Sequence, residues 1–159
     1  MDTPLPPSLL ELDAYLLSKV GKAARGTIGD RLAARGMRLW HMAVLAALAD
    51  FGPQMQRELA ARLAVHASDV AKVVDDLAGS GYVDRARDPA DRRRVRVTLT
   101  APGRAVLAEL DAEARAAQEE LLSPLTGTER AQLSALLHRV MAHLQDDRRQ
   151  DDRRQDTGA

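Results

Sequence analysis

The stretch DPADRRRVRVTLTAPG, Asp88 to Gly103, sets Arg92, Arg93, Arg94 and Arg96 against an alternation in which Val95, Val97 and Leu99 are every second residue. A period of two with aliphatic and polar side chains alternating is the pattern of a half-buried strand. Just upstream, YVDRAR (Tyr82 to Arg87) is short and β-prone as well, and DPADRR between the two carries the Asp and Pro of a turn. The segment therefore reads as a two-stranded ribbon tipped with arginine. From Arg85 to Arg104 seven arginines meet only Asp88 and Asp91, although the chain as a whole balances 23 basic against 23 acidic residues. A basic patch on a neutral chain is the footprint that a polyanion, and nucleic acid above all, requires.

Working outward, two short amphipathic segments precede the ribbon. QRELAARLAV puts Leu59 and Leu63 on one face. ASDVAKVVDDLAGSG puts Val70, Val73, Val74 and Leu77 on one face and leaves through Gly79 and Gly81. Only Ala64, Val65 and His66 lie between them, so they form a helix-turn-helix. A ribbon packed behind such a pair makes a winged helix. The segment MRLWHMAVLAALADFG, stopped by Phe51-Gly52-Pro53, is apolar nearly all round and is predicted to be buried. Before it, the capping box Ser8-Leu9-Leu10-Glu11 follows Pro6 and Pro7 and predicts one long helix to about Gly36, with Leu9, Leu12, Leu16, Leu17 and Val20 as its stripe.

After the ribbon, Thr100 is placed to cap a long helix with Pro102 in its first turn, ending at Ser123-Pro124. A second capping box, Thr126 to Glu129, opens a last helix striped by Leu133, Leu136, Leu137, Val140, Met141 and Leu144. A tandem DDRRQ repeat follows, which can prolong that helix through Asp/Arg pairs but cannot build a core. The fold class is thus mainly α, in the order α-α-α-α-β-β-α-α. A winged helix-turn-helix occupies residues 37–103, and residues 8–36 plus 104–145 form a helical region. Residues 1–7 are expected to be a disordered arm, and residues 146–159 a frayed or disordered polar tail. The first helix and the last two must bury their stripes somewhere, and a bundle built from two chains is the economical solution.

At 159 residues the chain suits one domain. It has no cysteine, which excludes a disulfide framework, a Cys-based zinc site and a thiol switch. MDTPLPPS shows neither a basic leader nor a long apolar run, so a cytoplasmic protein with no membrane partner is expected. There is no Gly-rich phosphate loop and no HExxH, and an enzyme is not expected. The histidines are His41, His66, His138 and His143. The last two are five residues apart, a poor spacing for one helical face, and no metal or other cofactor is assigned.

With Asp91-Arg92-Arg93, Leu99-Thr100-Ala101-Pro102-Gly103 and LAGSGYVDR (Leu77 to Arg85) in view, the sequence resembles the MarR family of bacterial transcription regulators over roughly residues 8 to 145. That resemblance implies a homodimer joined through its terminal helices. It implies binding to a pseudo-palindromic operator in double-stranded DNA, usually as a repressor, and release by a small aromatic or phenolic acid. The competing expectation is a dimeric winged-helix scaffold or anti-regulator without specific DNA binding.

The candidate DNA contacts follow from the same reading. Arg93 matches the arginine of the family's Asp-x-Arg and is placed at the minor groove, with Asp91 holding it; the plain alternative is a solvated loop with a weak salt bridge. Arg92 and Arg94 are phosphate candidates, and Arg85 suits packing or a phosphate equally. With Val70, Val73, Val74 and Leu77 facing inward, the exposed set includes Ser68 and Lys72 as groove contacts and Asp69 as an acceptor for a cytosine amino group. His66 stands at the helix start, to cap it or to meet a phosphate. Asp69, Asp75 and Asp76 outnumber Lys72, a departure from the basic recognition helices common in the family. Asp76 is expected to be repelled by phosphates unless Arg62 or a wing arginine neutralises it. Tyr15, Trp40 and His41 are the candidates for an effector pocket between the first two helices and the DNA-binding lobe.

Overall fold

The computed structural model describes residues 5–87, 91 and 94–156, with side chains as far as Asp147. The elements in order are α1 (Pro7–Leu10), α2 (Asp13–Ala33), α3 (Leu39–Phe51), β1 (Gln54–Met55), α4 (Gln56–Leu63), α5 (Ala67–Gly79), β2 (Val83–Arg87), β3 (Val95–Leu99), α6 (Ala101–Leu121) and α7 (Gly127–Asp156). The mainly helical winged-helix class read from the sequence is the one observed. Two compact units partition the chain, Met1–Glu119 and Glu120–Ala159.

In the first unit the helix-turn-helix forms where the sequence places it. Val70, Val73, Val74 and Leu77 are all buried, and they join Leu45, Leu48, Leu59, Val83, Val97 and Leu110 in one core. Positions i, i+3, i+4 and i+7 of α5 put that stripe on a single face. Burial of an aliphatic side chain of this size stabilises by about 1.5–3 kcal/mol, so the stripe fixes α5 against α3 and α4. The turn between α4 and α5 is closed by Ala64 in the left-handed region (φ 53°), while Val65 N–H donates to the Ala60 carbonyl at 3.1 Å. For a non-glycine residue that conformation costs roughly 1 kcal/mol, offset by the closing bonds.

The wing strands pair antiparallel from Val83↔Leu99 to Arg87↔Val95. β1, which the sequence reading does not include, adds to the other edge of β3 through Gln54↔Val97 and Met55↔Arg96, giving the order β1-β3-β2. Two residues show no periodicity, so no pattern announces the strand. Gln54 is buried and satisfied on both sides of its amide. Its Nε2 donates to the Ala47 carbonyl at 3.4 Å, and its Oε1 accepts Arg62 Nε at 3.1 Å.

Leu99-Thr100-Ala101-Pro102-Gly103 has a specific mechanical role. Thr100 Oγ1 accepts the Gly103 N–H at 3.1 Å, capping α6 as expected, and donates to the Gly81 carbonyl at 2.8 Å. A Cβ at Gly103 would overlap the Tyr82 carbonyl oxygen, so only glycine lets α6 leave this close to the strand.

Three details differ from the sequence reading. The long first helix is two: Leu12 adopts an extended conformation (φ −96°, ψ 107°) and starts α2, and Ser8 caps nothing, because α1 begins at Pro7, a residue suited to a first-turn position. Residue 7 therefore belongs to a helix rather than to a disordered arm. The third helix is not buried all round, since Leu39, Trp40 and Phe51 near its ends are exposed. In the second unit, α7 continues through the DDRRQ repeat to Asp156, the prolongation that the Asp/Arg pairs allow, where a frayed or disordered tail is the other expectation. Its capping box forms as read, with Thr126 N–H donating to Glu129 Oε2 at 2.7 Å. Leu136, Leu137, Val140, Met141 and Leu144 of α7 are exposed.

Candidate nucleic-acid interface

The buried stripe of α5 turns its opposite face outward, and Ser68, Asp69, Lys72, Asp75 and Asp76 are exposed on it. Asp69, Lys72 and Asp76 are spaced by three and four residues, so they follow one another along the helix. His66 is the residue before α5, but its side chain makes no capping bond, which removes one of its two expected roles.

The acidic excess of α5 is compensated in an unforeseen way. Asp75 is paired with Arg85, so Arg85 bridges the recognition helix to β2. Asp76 is paired neither with Arg62 nor with a described wing arginine. Its Oδ2 receives Arg38 Nη2 at 2.8 Å and lies 3.3 Å from His41 Nε2. Arg62 is engaged elsewhere, donating to Gln54 and lying with its guanidinium carbon 3.7 Å from the centre of the Phe51 ring. Lys72 and Asp69 make no ion pair among the described residues.

In the wing, Arg94 N–H donates to the Asp91 carbonyl at 2.8 Å. Arg94 is half-buried, with its Nε shielded from solvent and without a hydrogen-bond partner among the described residues. Arg92 and Arg93, the foremost candidates for DNA contact, lie outside the described residues, and so does the expected hold of Asp91 on Arg93.

An open groove of about 500 Å³ runs along α5. Its lining combines Trp40 and Arg38 with Asp69, Lys72 and Asp76 of α5 and an apolar floor that includes Val44, Val70 and Val73. Of the three pocket candidates, only Trp40 lines this groove. His41 is buried and committed to the Asp76 contact, and its Nδ1 accepts the Arg38 backbone N–H at 2.9 Å. Tyr15 sits on α2 beneath the ammonium of Lys19, 5.3 Å from its ring centre, and is not part of the groove. Neither its aromatic character nor its helical position carries a signal that would have separated it from Trp40 in the sequence.

Among the described residues no group of three or more His, Cys, Asp or Glu side chains is arranged to hold a metal ion. No described helix is long and apolar enough to cross a membrane. A helix-turn-helix with its second helix outward, backed by a three-stranded sheet whose hairpin is arginine-rich, defines a winged-helix regulator. The sequence model for the MarR family matches residues 35–94. The repressor NicR of Pseudomonas putida is 35% identical over 97 residues, and that match spans 61% of this chain and 61% of NicR, less than two thirds of its length. A probable transcriptional regulator from Pseudomonas aeruginosa is 30% identical, with a TM-score of 0.72 over 83% of this chain and 98% of that one. BpsR of Bordetella bronchiseptica, whose DNA binding is regulated by 6-hydroxynicotinic acid, is 26% identical, with a TM-score of 0.71 over 80% of this chain and 97% of that one. The chain belongs to the MarR family, which consists of transcriptional regulators rather than enzymes.

Proposed function

We propose that the protein represses transcription in the cytoplasm by binding, as a homodimer, a pseudo-palindromic operator in double-stranded DNA. The observation that carries this reading is the state of α5. Its apolar stripe is buried, Ser68, Asp69 and Lys72 face outward, and Asp75 and Asp76 are both paired with arginines. The scaffold reading leaned on the acidity of that helix, and the two pairings weaken it. Two-fold symmetry sets two such helices in successive major grooves about one helical turn (~10 bp) apart. Arg92, Arg93 and Arg94 are assigned to the flanking minor groove and phosphates, with Asp91 orienting Arg93 and His66 meeting a phosphate. The dimer is assigned to the apolar faces left exposed on α2 and α7 (Leu16, Leu17 and Val20; Leu137, Val140 and Leu144).

The test is selection from a random duplex library, followed by anisotropy titration of the winner against a scrambled duplex. An inverted repeat whose recovery is weakened by Arg93→Ala is the expected result. No enriched site at moderate salt, with variant and wild type alike, would promote the scaffold instead.

A small aromatic acid is the proposed effector. In the groove beside α5, Trp40 supplies a flat wall and Lys72, which makes no ion pair among the described residues, supplies a cation for a planar anion. Arg38 is already held by Asp76. Trp40 is the chain's only tryptophan, so its fluorescence reports directly on occupancy. Titration with hydroxylated pyridine and benzene carboxylates is expected to quench it and, in parallel, to lower DNA affinity. Quenching without loss of DNA binding would separate the site from regulation.

A further inference from the structure

Asp76 lies on the outward face of α5, where a bare carboxylate would repel the phosphate backbone that the helix approaches. Two donors from α3 and the residue before it converge on one of its oxygens. Arg38 Nη2 lies 2.8 Å from Oδ2, and His41 Nε2 lies 3.3 Å from the same atom. His41 is held for this contact. Its Nδ1 accepts the Arg38 backbone N–H at 2.9 Å, so the ring proton sits on Nε2 and points at the carboxylate. Arg38 is itself placed by a fixed turn, in which Met37 N–H donates to the Leu32 carbonyl at 3.0 Å and Met37 is buried.

From this geometry we infer that Arg38 is a positioning residue for DNA reading, which acts by neutralising and holding Asp76 on the recognition helix. The inference rests on the proposed DNA-binding function. Both partners are more than half exposed, with side-chain exposures of 64% and 56%. An exposed pair of this kind contributes little to folding stability. Its consequence lies in the field that α5 presents to a polyanion. Without Arg38, the outward face carries Asp76 uncompensated beside Asp69, against the single cation of Lys72.

The experiment uses the full-length protein and the duplex selected from the random library, at two ionic strengths. Arg38→Gln is expected to weaken binding roughly three- to tenfold at low salt. The gap should narrow as added salt screens the exposed carboxylate. Asp76→Asn alone should bind as well as wild type or better. The double variant Arg38→Gln/Asp76→Asn should return to within about twofold of Asp76→Asn. A merely structural role for Arg38 would not be rescued by deleting its partner.

Wild-type affinity for Arg38→Gln overturns the inference. So does a loss that Asp76→Asn fails to rescue, which would make Arg38 a direct phosphate contact or a structural residue. Both outcomes leave the DNA-binding reading intact. Absence of selective binding by the wild-type protein overturns that reading, and the inference with it.

Discussion

α5 and α7 carry apolar stripes of the same kind, and the molecule treats them oppositely. On α5, Val70, Val73, Val74 and Leu77 are 0–7% exposed; on α7, Leu136, Leu137, Val140, Met141 and Leu144 are 43–55% exposed. Helical spacing says only that a face is apolar. What buries α5 is a ring of other elements from the same chain, namely α3, α4 and the sheet, which meet it in one core. The faces of α2 and α7 have no such enclosure among the described residues. An apolar stripe is therefore a statement about a surface, and burial is a statement about its partner. The first stripe finds its cover within the same chain, and the second is the face proposed above for a second copy.

That contrast can be sharpened by substitution, and the largest effect is expected in the enclosed half. Leu45 is fully buried, and Leu45→Ala should cost about 2–5 kcal/mol of stability, read by urea unfolding. Leu137→Ala, a deletion of the same size on α7, should cost much less at low protein concentration, where no partner covers the face. Equal losses at low concentration would break the distinction. Next comes Gly103→Ala, where the added methyl meets the Tyr82 carbonyl and α6 must shift to admit it. A loss of about 1–3 kcal/mol is expected, with the exit from the wing perturbed first. A neutral result would show that the close approach is slack rather than required.

A third test addresses the open half directly. Leu137→Glu places a charge in the face assigned to the dimer. The proposed dimerisation should weaken roughly tenfold or more, read by sedimentation equilibrium, because a carboxylate without a partner is costly in an apolar interface. The helical content should stay as it is, since the site is exposed within one chain. An unchanged mass distribution would remove α7 from the interface and leave its stripe unexplained.

How much was legible follows from how local each signal is. The wing alternation, the stripe of α5 and the Leu-Thr-x-x-Gly exit are all short-range patterns, and each formed as read. Gly103 also shows why its motif has the form it does. The sequence says a glycine stands there, and only the fold shows the Tyr82 carbonyl that requires it. Contacts distant along the chain left no such trace. The sequence makes clear that Asp76 needs a cation, but nothing in its spacing selects Arg38, 38 positions away, over Arg62. The same holds for Arg35, which reaches Glu109 and Glu113 of α6. β1 was invisible for the opposite reason, being too short for any period.

The smallest expected effect belongs to the capping box of α7. Glu129 is fully exposed, yet its carboxyl is held below the ordinary glutamate value, first by the Thr126 backbone N–H and then by the Thr126 hydroxyl. Both donors favour the charged form. A carboxyl whose folded pKa lies below its unfolded one stabilises the fold at pH above the unfolded value, and that contribution fades as pH falls through the folded one. The start of α7 should therefore hold at neutral pH and loosen only once Glu129 is protonated, at a pH lower than that at which an unperturbed glutamate titrates. A carboxyl titration followed by NMR should place Glu129 among the lowest of the glutamates. Thr126→Ala removes the hydroxyl but keeps the backbone donor, so Glu129 should move only part of the way back towards the ordinary value. A full return would assign the whole depression to the hydroxyl, and no movement would assign it to the backbone alone. Either extreme would show that the two donors do not share the effect, and an ordinary value in the wild type would mean that the cap does not form in solution.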